Sequence, residues 1–326
     1  MVTAAVLAAA AAYLVLLTAG CRSWAWNCYK WNCLSRTPYM EAARKPDPRA
    51  WSNDQVSVCW IGHATVLANI HGTTILTDPV LTKRIAPVYL GGHVNLGIRR
   101  ISELPVQPQD LPAIDAVLLS HAHYDHWDVA SLKFLSKTTT AVIPKGTTDL
   151  LPKGQFGRVV ELGWREKTEI GPLTVEAFPV EHWGGRTFSD PAVRVCNGYL
   201  ISDGKCRVVF IGDSAFCDRN RWWEQKPVDW PARVGHAPVD IGILPIGVYT
   251  YPYNHMSPEE AWQLSRKVNA RWFMPIHWRT FIQSPPESEP IWEPIQRLRK
   301  AAGTETNRIV CDEPGAVFVL PEQRLE

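Results

Sequence analysis

The chain has 326 residues, of which 46% are hydrophobic and 20% charged, with a formal net charge of +2. That length and apolar share suffice for one large core or two halves of one, and the near balance of charge excludes the basic field of a nucleic-acid-binding surface. The eight cysteines include no Cys-x-x-Cys pair, which argues against a structural zinc knuckle.

Residues 1–20 carry no charged side chain and form an Ala/Leu/Val-rich run ending at Gly20-Cys21. Twenty apolar residues can span a bilayer. The end Leu17-Thr18-Ala19-Gly20-Cys21 also resembles a bacterial lipoprotein processing site, although no Lys or Arg precedes the run. Trp24, Trp26, Tyr29 and Trp31 follow, residue types that favour the membrane interface, and Arg22, Lys30 and Arg36 would place the C-terminal side in the cytoplasm if the segment is retained. Residues 1–21 therefore read as a signal peptide or membrane anchor, and either reading makes the protein membrane-associated, on a side left open. Residues 22–54 read as an aromatic juxtamembrane segment and a polar linker, in which Cys28 and Cys33 could pair in an oxidising compartment. Residues 55–326 are expected to form one folded domain.

Val56 to Ile61 and Thr65 to Ile70 read as strands, and His71-Gly72 turns the chain into a third that Asp78 ends before Pro79. Residues 81–113 form a long connection rich in Gly and Pro, a type usually functional or disordered. Tyr89, Leu90 and Ile98 beside Arg99 and Arg100 suit an acyl chain and a phosphate, or simply a cover for the sheet edge. Ile114 to Leu119 is an apolar run short enough for a buried strand. Asp128 then caps a helix through Val129, Leu132 and Phe134.

Between that strand and helix stands Ser120-His121-Ala122-His123-Tyr124-Asp125-His126-Trp127. In extended backbone His121 and His123 point to the same side, while Asp125 and His126 fall where the chain turns and can face a second point. The arrangement suits two metal ions sharing one site. A loop of solvated histidines is the plain alternative, and the strand-to-helix context weighs against it.

Three later apolar runs end in ligand-type residues. Leu173 to Val180 ends at Glu181-His182-Trp183, Arg207 to Ile211 at Gly212-Asp213-Ser214, and Arg271 to Ile276 at His277-Trp278. Singly, His182 or His277 is more often a surface or hydrogen-bonded core histidine, and Asp213 could be a helix cap. Together, after His-x-His-x-Asp-His, they complete a ligand set. Val195 to Ser202 is expected to pair with 207–211 across Asp203-Gly204, and Val239 to Ile246 is a further strand. Ser257-Pro258-Glu259-Glu260 starts a helix, residues 290–302 form another, and 308–320 close the sheet. Cys59, Cys206 and Cys311 lie in apolar runs as small core residues.

With these residues in place, the sequence resembles the metallo-β-lactamase fold superfamily over roughly residues 56–320. The resemblance implies an α/β fold, an αββα sandwich of two mixed β-sheets packed between helices, with the metals at one edge. It implies a first metal on His121, His123, His182 and Asp213, and a second on Asp125, His126, His277 and the same bridging Asp213. It implies Asp78 as an acceptor for a ligand histidine, which fixes the imidazole tautomer. His63 is either similar or a satisfied loop histidine. Oxygen-reducing di-iron members carry a Glu where His123 stands, so hydrolysis is implied rather than redox chemistry.

Several stretches are similar to the N-acylphosphatidylethanolamine-hydrolysing phospholipase D group: Trp60-Ile61-Gly62-His63-Ala64-Thr65, Leu76-Thr77-Asp78-Pro79, Glu181-His182-Trp183-Gly184-Gly185-Arg186, Leu244-Pro245-Ile246-Gly247 and His255-Met256-Ser257-Pro258. That likeness places His255 at the active site. His255 and Asp125 are the catalytic candidates, with His255 hydrogen-bonding a phosphoryl oxygen or protonating the leaving alkoxide. The preceding loop, Tyr249 to Asn254, is shorter than the group's and lacks its Arg-Trp-Phe stretch. Gly212-Asp213-Ser214-Ala215-Phe216 also departs from the group's Gly-Asp-Thr-Gly-Tyr.

The expected cofactors are two divalent ions, Zn2+ first, with Mn2+ or Fe2+ compatible with the same donors. Such ions lower the pKa of a bound water enough to give hydroxide near neutral pH. The expected function is a membrane-associated phosphodiesterase acting on N-acylphosphatidylethanolamine-like phospholipids. A lactonase or other hydrolase of a soluble small molecule is the first alternative, and a non-catalytic metal-binding interaction protein the second. The partners are then a phospholipid or other small substrate and the membrane, with no nucleic acid, and the oligomeric state is open.

Overall fold

The computed structural model describes residues 39–85, 89–90, 94–95, 97–186, 194–221 and 224–322. The apolar segment 1–20, the aromatic residues Trp24 to Trp31, and Cys28 and Cys33 lie outside the described residues. One sheet has seven strands: β1 (Val56–Gly62), β2 (Thr65–Ile70), β3 (Thr73–Thr77), β4 (Ala116–Leu118), β5 (Thr140–Pro144), β6 (Arg158–Leu162) and β13 (Val317–Val319). A second has six: β7 (Lys167–Ile170), β8 (Leu173–Pro179), β9 (Asn197–Ser202), β10 (Arg207–Phe210), β11 (Val239–Pro245) and β12 (Ala270–Ile276). The spatial orders are β6-β5-β4-β3-β2-β1-β13 and β7-β8-β9-β10-β11-β12.

Both sheets are mixed. In the first, β13, β1, β2 and β3 run antiparallel in turn, and β3 to β6 are parallel. In the second, β7 to β10 are antiparallel and β10 to β12 parallel.

Side-chain alternation along the strands explains why they stack. Val58, Trp60, Val66, Ala68, Ile75 and Leu118 face inward, in one cluster with Val175, Ala177, Phe178, Tyr199, Val208 and Phe210 of the second sheet. Cys59, Ile61, Leu67, Leu76, Val117, Ala141 and Ile143 form the outer cluster, joined by Trp127 and Leu132. Because both faces are covered, these strands read as continuous apolar runs. Trp127 belongs to the histidine-rich loop and is fully buried, so it anchors that loop to the sheet.

The helices cover the two sheets unequally. Over the second sheet lie α3 (Pro258–Lys267) and α4 (Glu293–Ala302), which contribute Leu264, Ile295 and Leu298 to the core. The start of α3 is a reciprocal cap: the Ser257 hydroxyl accepts from Glu260 N–H at 3.2 Å, and Ser257 N–H donates to the Glu260 carboxylate at 2.8 Å. The bidentate bond of Arg297 to Glu259, at 2.9 and 2.8 Å, ties α4 to α3.

Over the first sheet the layer is thinner than expected. There α1 (Val129–Leu132) ends at Leu132 instead of running through Phe134. Asp128 accepts from Ser131 N–H at 3.2 Å and from the Ser131 hydroxyl at 2.5 Å, and that hydroxyl accepts Leu81 N–H at 2.6 Å. The chain then turns to bury Leu135 and leaves Phe134 exposed. The closing strand is likewise short, because Gly303–Arg308 forms a 3-10 turn and Ile309 makes only an isolated bridge to Phe273. The short helix α2 (Trp230–Val234) buries Trp230.

In the 81–113 connection, Arg84–Ile85 pairs with Ile98–Arg99. Arg100, a candidate to hold a phosphate, is instead buried at 3% exposure. Its guanidinium donates to the carbonyls of Val80 and Thr82 and lies over the Phe281 ring, so it secures the connection to the sheet edge. Cys59, Cys206 and Cys311 are buried free thiols. Among the described residues no helix is long and apolar enough to cross a membrane.

Candidate metal centre

Each candidate residue follows the carboxyl end of a strand. His63 follows β1, Asp78 follows β3, and His121 to His126 follow β4; His182, Asp213 and His277 follow β8, β10 and β12. His255 lies on the loop after β11. A crevice at strand carboxyl ends is where open α/β sheets bind ligands.

The structure brings all of these residues into one cluster. His121 Nε2 lies 2.9 Å from His123 Nδ1, and His182 Nε2 lies 3.2 Å from the same atom. Beside them Asp213 Oδ2 stands 3.1 Å from Nε2 of both His126 and His277. It is 3.8 Å from His182 Nε2 and 4.0 Å from His121 Nε2, which joins the two groups. Asp125 Oδ2 is 3.3 Å from His277 Nε2 and 3.5 Å from His126 Nε2. His255 Nδ1 lies 3.8 Å from Asp213 Oδ2, at the margin of the cluster.

A hydrogen-bond network turns the ring nitrogens inward. Asp78, fully buried, accepts from His126 Nδ1 at 2.7 Å and from the Ser120 hydroxyl at 2.6 Å. With its proton on Asp78, the Ser120 oxygen accepts from His121 Nδ1 at 2.9 Å. Asn254 carbonyl oxygen accepts from His182 Nδ1 at 2.9 Å. With Nδ1 donating in each case, Nε2 of His121, His126 and His182 faces the centre, carrying the lone pair in His121 and His182 and, once its second proton has left, in His126. Ser120 and Asn254 are contributions that the sequence reading did not identify, as is Gln283, which donates to Asp125 Oδ2 at 2.8 Å. Trp183 packs against His123 with ring centroids 4.4 Å apart.

The backbone here is strained. His63, Asp78 and His277 have φ of 54°, 33° and 64°, each a conformation costing about 1–3 kcal/mol for a non-glycine residue. Gly247 accommodates one of them, because a Cβ there would meet the His277 carbonyl oxygen at 2.1 Å.

The electrostatics divide the histidines. Burial first, then His126, His123 and His182, hold His121 well below its ordinary range. Burial and His182 bring His123 down to about 3. Burial opposes charge on His126 and His277 as well, but Asp213 and Asp125 carry His126 well above its usual value and raise His277 to about 9. Burial would raise the two carboxylates, yet His126 and its neighbours hold Asp125 and Asp213 well below theirs.

This donor set fits divalent cations. His123 Nε2, His126 Nε2, both ring nitrogens of His277, His255 Nδ1 and Asp213 Oδ1 are buried without a hydrogen-bond partner. A buried polar atom left unpaired costs about 1–3 kcal/mol, and ligation would satisfy most of these at once. Imidazoles with carboxylates are the donors that borderline divalent ions take. Ligand atoms of His121, His123 and His182 lie within 4.8 Å of one another, as do those of His63, Asp125, His126 and His277. An open groove of about 530 Å³ lined by Arg266, Arg271 and Arg308 sits by the opposite end of β12 and takes no part in this cluster.

Comparison with known proteins points the same way. A model of the beta-lactamase superfamily domain matches residues 73–278, more than half of the chain. The chain is 33% identical over 270 residues to an uncharacterised protein of Mycobacterium tuberculosis, covering 80% of this chain and 68% of that one. It is 30% identical over 257 residues to N-acyl-phosphatidylethanolamine-hydrolyzing phospholipase D 1 of Caenorhabditis elegans, covering 74% and 68%. The crystal structure of a possible metal-dependent hydrolase from Veillonella parvula superposes with a TM-score of 0.62 at 17% identity, over 81% of this chain and 99% of that one.

Metal uptake should release protons. A metal takes the unprotonated nitrogen, and in the metal-free protein His277 holds its proton until pH rises to about 9. Below that value, filling the position that His277 serves must expel its proton, so affinity there increases with pH up to about 9. Calorimetric titration with Zn2+ at neutral pH, in two buffers of different ionisation enthalpy, should give buffer-dependent heats. Equal heats in the two buffers would contradict the assignment.

Proposed function

Because this chain belongs to the beta-lactamase superfamily and has a metal-dependent hydrolase and a phospholipase D among its relatives, we propose that it is a dinuclear metal-dependent phosphodiesterase of phospholipase D type. Its substrates in this reading are N-acylphosphatidylethanolamine-like phospholipids. The observation that carries the reading is the full His/Asp cluster around Asp213 with His255 beside it, in a chain 30% identical to the nematode phospholipase.

His121, His123 and His182 would hold one ion and Asp125, His126 and His277 the other, with Asp213 shared. Divalent ions bound there would supply Lewis acidity and lower the pKa of a water. The rest falls to the chain's own residues. Asp78, Ser120 and the Asn254 carbonyl keep the imidazoles oriented. His255, with its side chain 12% exposed beside Asp213, can reach a substrate oxygen and donate a hydrogen bond to a phosphoryl oxygen or to the leaving alkoxide. Trp183, Tyr251 and Tyr253 are 46%, 36% and 51% exposed. They stand beside His123 and along the loop that carries His255, and such amphipathic rings suit an acyl chain entering from a lipid interface. Residues 1–21, as signal peptide or anchor, would hold the enzyme in the plane of its substrate and raise the effective concentration without a new contact.

His255→Ala should keep both metals and lose most turnover, by about 100-fold or more if the residue acts as acid or donor. Elemental analysis beside a turnover assay checks this, and a wild-type rate would make the residue structural. Removing residues 1–33 should leave folding, metal content and the rate on a small soluble phosphodiester intact, while the rate on lipid in vesicles falls. Equal loss on both substrates would place that segment in the core. No loss on either would favour a soluble substrate such as a lactone.

A further inference from the structure

We propose that His63 and Gln283 are paired positioning residues for Asp125, fixing the carboxylate rotamer that the second metal position needs. The proposal rests on the ligand assignment above and adds two residues that act through Asp125. His63 is 1% exposed, and its Nε2 lies 2.9 Å from Asp125 Oδ2. Gln283 Nε2 donates to the same oxygen at 2.8 Å. These two neutral donors come from opposite ends of the chain and converge on one atom. A carboxylate offers about four lone-pair sites over its two oxygens, so two neutral donors on Oδ2 fix its direction, leave lone pairs over, and do not neutralise the charge that a cation requires.

His63 is built in from every side. Its φ of 54° is a strained conformation for a non-glycine residue, and the surrounding contacts hold it there. Its N–H donates to the Thr280 hydroxyl at 2.7 Å. Its carbonyl accepts the Trp60 indole N–H at 2.8 Å and the His277 N–H at 2.9 Å. Its ring is tilted against His277 at 4.0 Å and meets the Phe281 edge at 5.3 Å.

Thr280, Phe281 and Gln283 all belong to the strap between β12 and α4, so one segment sets the backbone of His63, packs its ring and shares its target. Asp125 needs such restraint. Without it, Oδ2 at 3.3 Å from His277 Nε2 and 3.5 Å from His126 Nε2 would be free to close on either imidazole. His63 Nε2 must carry its proton to donate to Asp125, and a protonated nitrogen has no lone pair for a metal, which separates this role from ligation.

The test needs no substrate. Zn2+ affinity is measured by competition with a chromogenic chelator for the full-length protein and for Gln283→Ala, His63→Ala and His63→Gln. Gln283→Ala and His63→Ala should weaken one of two metals by about 10–100-fold, as loss of a ligand's hydrogen-bond partner typically does, and leave the other unchanged. His63→Gln keeps a donor and should recover part of the loss. Should His63→Ala fail to fold, Gln283→Ala alone decides. Two metals at wild-type affinity in the alanine variants that fold would overturn the proposal while leaving the functional reading standing. X-ray absorption of the loaded His63→Ala protein showing one imidazole fewer would also overturn it, by making His63 a ligand. A wild-type protein that binds no second metal would remove the ligand assignment itself.

Discussion

One buried carboxylate oxygen constrains the rest of this molecule. Asp213 Oδ2 lies 3.1 Å from the inward nitrogens of His126 and His277, 3.8 Å from those of His182 and His255, and 4.0 Å from that of His121. A carboxylate taken out of water is tolerated only when it is paired, so Asp213 has to be surrounded by cationic or metal-binding groups. Those groups come from both sheets, and the sheets must therefore meet at their strand ends. They are joined at that point: the Tyr199 hydroxyl donates to the Leu119 carbonyl at 2.7 Å, and Asn197 N–H donates to the Ser120 carbonyl at 2.9 Å. Gly212, just before Asp213, has φ of +64°, and a Cβ there would meet the Ser120 side chain at 2.6 Å. The carboxylate and the histidine loop can come together only with glycine at that position.

The stability accounting at this end of the sandwich is adverse and local. Three left-handed non-glycine residues, several buried nitrogens without a hydrogen-bond partner and the three buried carboxylates of Asp78, Asp125 and Asp213 lie in one crevice. The continuous core formed by Trp60, Phe178, Tyr199 and Phe210 offsets them. Such a concentration of cost at strand ends is expected where geometry serves ligation rather than packing. In the metal-free protein His126 and His277 hold protons opposite the carboxylates of Asp125 and Asp213, and divalent ions would replace those protons.

The features readable in advance were those that lie close together in the chain. His121, His123, Asp125 and His126 fall within six positions, and an apolar run precedes them. His182, Asp213 and His277 could be found because each stands within two residues of the end of an apolar run. Gln283 follows no strand end, and its role depends on a strap folding back over Asp125. Asn254 acts through its carbonyl, a group every residue has. Arg100 sits in a loop, and position in a loop did not reveal that its guanidinium turns inward to carbonyls. The two sheets were legible from alternation and apolar runs. The lengths of α1 and the closing strand were not, because tight turns override periodicity there: Phe134 and Leu135 N–H donate to the Ser131 and Leu132 carbonyls, and Gly303–Arg308 is a 3-10 turn.

If Asp213 joins the two groups of histidines into one dinuclear centre, its loss must empty both positions. Elemental analysis of purified Asp213→Ala tests it most directly, alongside wild type and His277→Ala. A shared Asp213 carboxylate requires two metals in the wild type, depletion of both in Asp213→Ala, and depletion mainly of one in His277→Ala. Full two-metal occupancy in folded Asp213→Ala would contradict it.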